Sequence, residues 1–239
     1  MGCERVAQGV RRDRLPEPRV RGVALEQVPK RPGQRDRTDD YGQARPPIGV
    51  PFREVSAGYA HSCGIKSDGM AFCWGRNSSG QLGNGTTEDS TTPVDVVGLK
   101  ARVVAISGSA DTMCALSRGG AVQCWGNNEF GGLGNGTTIS SSTPVDVTGL
   151  GSGATAVAVG SHACAIVQSG GVRCWGYNHY GELGDGTWTD SSVPIDVVAL
   201  HSGATAIGAH YYNSCALLSD GRVMCWGDDS QGQLGQGGP

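Results

Sequence analysis

An internal repeat of about 50 residues constrains this chain more than any other feature. Four tryptophans lie 51, 50 and 51 residues apart, and four cysteines keep the same spacing: Trp74, Trp125, Trp175 and Trp226, and Cys63, Cys114, Cys164 and Cys215. A repeat of this period is one supersecondary unit that buries its apolar face against its neighbours. The sequence therefore predicts four copies of one small unit, stacked side by side.

Each copy reads as four short strands. An apolar stretch (residues 155–159, TAVAV) precedes the first Cys, and a second strand starts at that Cys. A third strand ends in Cys-Trp-Gly, and a fourth opens with Pro and alternates apolar residues with Asp, as in residues 194–197 (PIDV). The chain has 40 Gly residues, each costing about 1 kcal/mol inside a helix, which disfavours a helical fold. Repeated four-stranded units indicate an all-β chain of β-propeller blades.

The first 50 residues have a different composition. They carry eleven basic and seven acidic residues and six prolines, whereas residues 51–239 carry eight basic and fifteen acidic residues. Because the first segment lacks hydrophobic periodicity, we expect residues 1–44 to be a disordered basic extension. The propeller is expected over residues 45–239, with a stray outer strand at about 45–54 and blades at 55–98, 99–149, 150–199 and 200–239, the last incomplete.

Eight of the nine cysteines form four pairs with equal spacing: Cys63–Cys73, Cys114–Cys124, Cys164–Cys174 and Cys215–Cys225. A Gly six residues after the first Cys fits a three-residue hairpin loop, and counting back from that loop places the two Cys opposite each other. We expect one disulfide per blade. A reduced buried pair and a metal site are the alternatives, although no copy has the short spacing of a zinc knuckle. Cys3 is left over.

The sequence motif of the copies resembles that of a known family. Residues 58–65 (GYAHSCGI), 73–77 (CWGRN), 80–87 (GQLGNGTT) and 93–94 (PV) resemble the repeat of the regulator of chromosome condensation family. The repeat resembles the compact form found in bacterial proteins that are alpha-tubulin-suppressor-like or similar to β-lactamase inhibitor protein II. The resemblance covers about residues 47–239 and implies a seven-bladed propeller. With four copies we expect an open or incomplete ring rather than a closed four-blade ring, with self-association through exposed blade edges.

The copies differ most in two sets of loops, which the strand order places on one propeller face. One set joins the first and second strands, and the other follows Trp-Gly. Variable loops on a fixed scaffold commonly carry recognition, and tyrosine supplies rigid contact area with a polar tip. The candidate binding residues are Phe130, Tyr177, His179, Tyr180, Trp188, Tyr211 and Tyr212. The alternative is that these side chains fill gaps between blades.

Other polar motifs favour structure over chemistry. The repeated tryptophans follow Cys in every copy and are expected to pack between blades. His61 and His162 share one position, where the other copies have Thr112 and Asn213, which indicates a polar structural role. The Gly-x-Gly-Thr segments lack the helix and lysine of a phosphate loop. No nucleophile, base and carboxylate recur together, so we predict no enzyme activity, no cofactor and no metal site.

We therefore expect a non-catalytic propeller that binds another protein. The resemblance also brings in a guanine nucleotide exchange factor for a small GTPase and an enzyme inhibitor as alternatives. Exposed Tyr and Trp side chains add a carbohydrate-binding module as a further alternative. The acidic repeats argue against nucleic acid. Disulfides favour an extracellular or cell-surface location although no leader is visible, with the cytoplasm as the alternative. No apolar run is long enough to span a membrane.

Overall fold

The computed structural model describes residues 39–44 and 49–235, and fifteen β-strands make up the regular structure of those ranges. The strands form four antiparallel sheets, each with its strands in chain order. The described ranges contain no helix long and apolar enough to cross a membrane. The expected all-β class and the presence of four blades are confirmed.

Each sheet is one blade, and the fourth blade has three strands among the described residues. Blade 1 contains β1 (Phe52–Ala57), β2 (His61–Lys66), β3 (Ala71–Gly75) and β4 (Ser90–Asp95). Blade 2 contains β5 (Val103–Ser109), β6 (Thr112–Ser117), β7 (Val122–Gly126) and β8 (Ser141–Asp146). Blade 3 contains β9 (Ala154–Val159), β10 (His162–Val167), β11 (Val172–Gly176) and β12 (Ser191–Asp196). Blade 4 contains β13 (Ala204–Ala209), β14 (Asn213–Leu218) and β15 (Val223–Gly227).

The first strands of the blades lie next to one another and so line the propeller axis. Side chains of one first strand bond the backbone of the next: Gly108 N donates to Ser56 Oγ at 2.9 Å, and Val159 N donates to Ser107 Oγ at 3.1 Å. The blades follow one another in chain order, and blade 4 leaves Leu217 and Val223 exposed. The described residues therefore form an open arc of four blades.

The central hairpin of each blade has the register expected from its loop glycine. In blade 4, Leu217 pairs with Val223 and Cys215 with Cys225, and the loop residue Gly221 has φ +87°. The same opposition recurs in the other three blades, and all four cysteine pairs are bonded, with Cα–Cα distances of 4.0–4.1 Å. One disulfide therefore joins the middle two strands of every blade.

The repeated tryptophans connect each blade to the preceding one. Trp125 Nε1 donates to Gln81 O at 3.0 Å, Trp175 Nε1 to Gly132 O at 2.9 Å, and Trp226 Nε1 to Glu182 O at 2.7 Å. Trp125 and Trp175 are fully buried among apolar side chains of two blades. The tryptophans thus hold one blade on the next, as their recurrence indicated.

Residues 39–44 form a turn against blade 1. Trp74 Nε1 donates to Gln43 O at 3.0 Å, the bond that later tryptophans make to the loop of the preceding blade. Gly42 has φ +74°, and Gly80 has φ +80° at the matching place in blade 1. These six residues therefore occupy the position of a preceding blade's Gly-rich loop.

Two expected boundaries fall near this turn. Of the extension expected over residues 1–44, residues 1–38 and Cys3 lie outside the described residues, and residues 39–44 form the turn on blade 1. Of the stray outer strand expected at 45–54, residues 45–48 also lie outside, and residues 52–54 belong to β1. Blade 1 thus begins three residues before its expected start, because Phe52 is buried in its sheet.

Candidate functional site

Two kinds of loop share one face of the arc, which we call the loop face. The short loops between first and second strands are residues 58–60, 110–111, 160–161 and 210–212. The long loops after the third strands are residues 76–89, 127–140, 177–190 and, as far as described, 228–235. Antiparallel alternation brings both kinds to the same ends of the strands. Every candidate binding residue lies on this face.

A buried asparagine at one position fixes the path of the long loops of blades 1, 2 and 3. Asn178 Oδ1 accepts from Leu183 N at 2.9 Å, and its Nδ2 donates to Thr187 O and Thr189 O. Asn77 and Asn128 make the same bonds in blades 1 and 2. Because these bonds lie within each loop, the loops form a stiff platform. The glycines of the loops let the chain turn there.

The short loop of blade 4 rests on blade 3. Ser161 N donates to Tyr211 O at 3.3 Å. A Cβ added to Gly160 would lie 1.9 Å from His210 O, so only glycine permits this approach. Asp228 N donates to Tyr212 O at 2.8 Å, which fixes the other end of the short loop. The backbone of residues 210–212 is therefore held on both sides.

Six of the seven candidate residues form one group of rings, which we call the aromatic cluster. Phe130 of blade 2 meets the Tyr177 ring edge-on with centroids 5.1 Å apart. The Tyr177 ring lies 4.4 Å from that of His179 and 5.8 Å from that of Tyr212. Tyr211 joins through Tyr212 at 6.2 Å. The cluster therefore runs across blades 2, 3 and 4.

The rings of this cluster are only partly buried. Tyr180 is 48% exposed and Tyr212 is 40% exposed, and their centroids are 5.0 Å apart. Trp125 and Trp175, by contrast, are fully buried between blades. The alternative that the candidate side chains fill gaps between blades therefore does not describe Tyr180 or Tyr212.

Trp188 is the candidate that the structure does not bring into the cluster. It is 69% exposed at the tip of the blade 3 long loop and makes no ring contact with the described residues. His210, which was not among the site candidates, stacks edge-on against Tyr211 with centroids 5.0 Å apart. His210 directly precedes Tyr211 and Tyr212 in the same short loop, so its place in the sequence contained the signal for it.

A buried carboxylate lies beside the cluster and was also missed. Glu182 is fully buried, and its Oε2 accepts from Tyr180 N at 2.8 Å. Its Oε1 is buried and has no hydrogen-bond partner among the described residues. Blades 1 and 4 have Gln81 and Gln233 at this position, so the carboxylate in blade 3 was visible as a departure from the repeat.

The partner that Glu182 lacks is visible in blade 1. Gln81 Nε2 donates to Asp111 Oδ1 of the neighbouring short loop at 2.9 Å. Tyr212 occupies the position in blade 4 that Asp111 occupies in blade 2. In each blade the carbonyl oxygen of this residue accepts a hydrogen bond from the N–H of the residue that follows Trp-Gly. The Tyr212 ring instead packs on Tyr180. The aromatic contact thus replaces the polar pair and leaves the carboxylate oxygen without a donor.

Burial and neighbouring groups shift the ionisation of this region. Burial raises the pKa of Glu182, although the hydrogen bond from Tyr180 N acts in the opposite direction. Desolvation raises the pKa of Tyr177, and the nearby Tyr180 and Glu182 raise it further. Tyr177 therefore stays neutral at physiological pH.

The loop face carries strongly negative charge. Its eight described loops contain nine Asp and Glu residues and one Arg. Arg76 is paired with Asp111 at 3.5 Å, and Asp185 is bonded to Thr187 within its own loop. Hydrogen bonds to Thr187 and Asn178 lower the pKa of Asp185 against the effect of burial. A ligand of this face therefore meets aromatic rings in an acidic field.

Chain comparisons identify the repeat. Models described as "Regulator of chromosome condensation (RCC1) repeat" match residues 68–116 and 119–167, and residues 52–81, 103–131, 155–182 and 205–233. These segments overlap all four blades.

The relatives are similar over parts of their length. The human E3 ubiquitin-protein ligase HERC2 is 36% identical over 94 residues, which are 38% of this chain and 2% of that protein. The Arabidopsis thaliana ultraviolet-B receptor UVR8 is 36% identical over 98 residues, which are 40% of this chain and 22% of that protein. This chain therefore corresponds to a small portion of either relative.

A solved structure shares the fold. Prp20p from Saccharomyces cerevisiae, studied for its binding to Gsp1p and histones, superposes with a TM-score of 0.68 at 20% identity. The match covers 90% of this chain and 53% of Prp20p. Together with the matched repeats and the four blades, this likeness shows that the chain belongs to the regulator of chromosome condensation repeat family.

Proposed function

We propose that this chain is a non-catalytic propeller that binds another protein through its loop face. The observation that carries the proposal is the aromatic cluster, which spans three blades and leaves Tyr180 and Tyr212 about half exposed. Aromatic side chains are enriched in protein interfaces, where they supply contact area at low entropic cost. A stiff loop platform adds to this, because less order is lost on binding.

Charge narrows the class of partner. Nine acidic residues and one Arg on the loop face favour a partner with a basic surface and oppose the phosphate backbone of nucleic acid. Cysteine pairs that stay bonded favour an oxidising compartment, so we place the protein outside the cell or at its surface. Intact-mass measurement without reduction tests this: protein recovered from its native compartment should be eight hydrogens lighter than the reduced chain.

Binding to a defined face is tested with two matched variants. The protein and the variant Y180S/Y212S are immobilised, and proteins retained from the source organism are identified, purified and titrated back. The control variant V198S/H201S alters exposed residues outside the aromatic cluster, in the connection between β12 and β13. We expect a purified partner whose affinity falls at least about tenfold in Y180S/Y212S and stays unchanged in the control. Equal affinity for all three proteins contradicts the proposal.

The exchange-factor alternative is tested separately. Prp20p shares the fold at 20% identity, which carries no inference about activity. Release of guanine nucleotide from small GTPases should therefore proceed at the same rate with and without this chain. Acceleration at substoichiometric concentrations would favour the exchange-factor alternative over simple binding.

A further inference from the structure

Three tyrosines at the centre of the aromatic cluster form a triangle, which we call the tyrosine triad. Its members are Tyr177, Tyr180 and Tyr212, and their ring centroids are 5.0, 5.8 and 6.4 Å apart. The rings are mutually tilted by 42–47°. A cation held above such a triangle lies within about 6 Å of all three centroids, the range in which ring faces attract positive charge.

Glu182 supplies a negative group next to the triad. Its Oε2 accepts a hydrogen bond from Tyr180 N, which fixes the carboxylate beside that residue, and its buried Oε1 has no partner in the described part of the chain. A buried carboxylate without a counter-charge is costly. A cation bound at the triad would offset this cost, whereas a neutral ligand would not.

The acidic field of the loop face acts in the same direction. Asp190 lies close enough to raise the pKa of Glu182, and His179, which lowers it, lies 3.7 Å from Asp190. Among the described loop-face residues the one Arg, Arg76, is paired with Asp111 of blade 2. No lysine or arginine of the described loop-face residues belongs to blade 3 or blade 4. The triad therefore has aromatic and anionic groups but no permanent cation of its own.

We propose that the tyrosine triad and Glu182 bind an ammonium group, and that a lysine side chain of the protein partner supplies it. The proposal rests on the proposed function for the source of the lysine. Ring faces contact the ammonium and its adjoining methylene groups, and Glu182 supplies the balancing charge. Two further rings of the cluster, Phe130 and Tyr211, extend the contact surface on either side.

The direct test uses Nα-acetyl-lysine amide, with Nα-acetyl-norleucine amide as its uncharged analogue. Ring signals of selectively labelled tyrosines are followed by NMR during each titration. We expect saturable shifts of Tyr177, Tyr180 and Tyr212 with the lysine compound and none with the norleucine compound. Equal shifts with both compounds overturn the proposal, because a merely apolar patch would not distinguish them.

Two variants separate the carboxylate from the general field. Glu182→Gln introduces the residue that blades 1 and 4 already have there, and Glu88→Gln removes an equal charge from blade 1 on the same face. We expect E182Q to weaken lysine binding at least about fivefold and E88Q to change it less than twofold. Binding by the unaltered protein should also weaken as acid protonates Glu182, and E182Q should lose that dependence. Equal effects of the two variants overturn the proposal.

The outcome for the cation site is distinguishable from the outcome for the proposed function. A partner that depends on Tyr180 and Tyr212 but binds E182Q as tightly as the unaltered protein supports the protein-binding function and overturns the cation site. Saturable binding of the lysine compound without any partner that depends on those tyrosines supports the cation site and contradicts the protein-binding function.

Discussion

The contact between blades 1 and 2 and the contact between blades 3 and 4 use the same backbone positions with different side chains. In the first contact Gln81 bonds Asp111 at the loop face, and the buried His61 ring has no hydrogen-bond partner among the residues that the structure describes. In the second contact Glu182 has lost that bond, and His162 Nε2 bonds Ser214 Oγ in the interior. The repeat therefore fixes the backbone, and each contact distributes its polar bonds differently between interior and loop face.

The residue opposite the histidine explains the interior difference. Ser214 directly precedes the first Cys of blade 4, and Met113 holds that place in blade 2. Met113 is fully buried in the cluster that joins blades 1 and 2 and offers His61 no comparable partner. The first contact thus gains apolar burial, whereas the second gains a hydrogen bond.

We expect the largest loss of stability when the tryptophan of a blade contact is removed. Trp125→Ala removes a fully buried ring and its bond to Gln81 O, and we expect a loss of about 3–5 kcal/mol in the free energy of unfolding. Trp226→Ala removes the corresponding bond to Glu182 O, but that ring is only partly buried, so the loss should be smaller. Denaturant titration of both variants measures the difference. Equal losses would contradict the placement of blade 4 at the open end of the arc.

The two histidines predict a shared dependence on pH. Burial lowers the pKa of both His61 and His162 to about 4, below the ordinary value of 6.5. The unfolded chain therefore binds more protons, and stability is lost as pH falls from 6.5 through 4. Each histidine accounts for at most about 3 kcal/mol of this loss.

Asparagine variants isolate that pH effect. His61→Asn and His162→Asn place the residue of blade 4 at each position and should each flatten the decline in unfolding free energy between pH 7 and pH 4. His201→Asn, at an exposed site, serves as the control and should leave the decline unchanged. An unaltered decline in the first two variants would mean that other groups cause it.

A glycine pair tests how the blade 4 short loop is held. Gly160→Ala brings a methyl group against His210 O, and we expect a loss of about 1–3 kcal/mol with displacement of residues 210–212. Gly208→Ala is the control, since Gly208 lies in β13 two residues before the blade 4 short loop and a Cβ there meets nothing within 4 Å. Thermal unfolding and the NMR signals of Tyr211 and Tyr212 report the two effects. Similar behaviour of both variants would show that the loop does not depend on this close approach.

We expect the smallest effect from a double substitution that gives the contact between blades 3 and 4 the polar pair of the contact between blades 1 and 2. The double variant E182Q/Y212D gives blades 3 and 4 the Gln and Asp that pair between blades 1 and 2. We expect the two changes to couple favourably by about 0.5–1.5 kcal/mol in a double-mutant cycle, the net value of one hydrogen bond. Strict additivity of the single variants would indicate that Glu182 and Tyr212 do not occupy the positions that Gln81 and Asp111 hold between blades 1 and 2.

Much of the fold could be predicted because it depends on local, repeated chemistry. The strand pairing followed from Gly221 and its counterparts, since a glycine in the left-handed region sets the hairpin register. The grouping of the candidate rings on one face followed from strand alternation alone. The role of the tryptophans between blades followed from their recurrence in each copy.

The parts that could not be predicted depend on contacts between copies. The approach of His210 O to Gly160 and the unpaired oxygen of Glu182 both arise where neighbouring loops meet, and no spacing within one copy encodes them. The separation of Trp188 from the other rings depends on the shape of the loop tip. The turn at residues 39–44 was missed because its sequence around Gly42 and Gln43 preserves only a few residues of the repeat.

Photo-crosslinking in the source organism tests most directly whether the loop face is the binding surface. Benzoylphenylalanine is placed at position 180, within the aromatic cluster, and separately at position 198, which is 59% exposed in the connection between β12 and β13. We expect irradiation to join a partner protein to position 180 and not to position 198. Crosslinks at position 198 alone, or equal crosslinks to the same protein at both positions, would contradict the account.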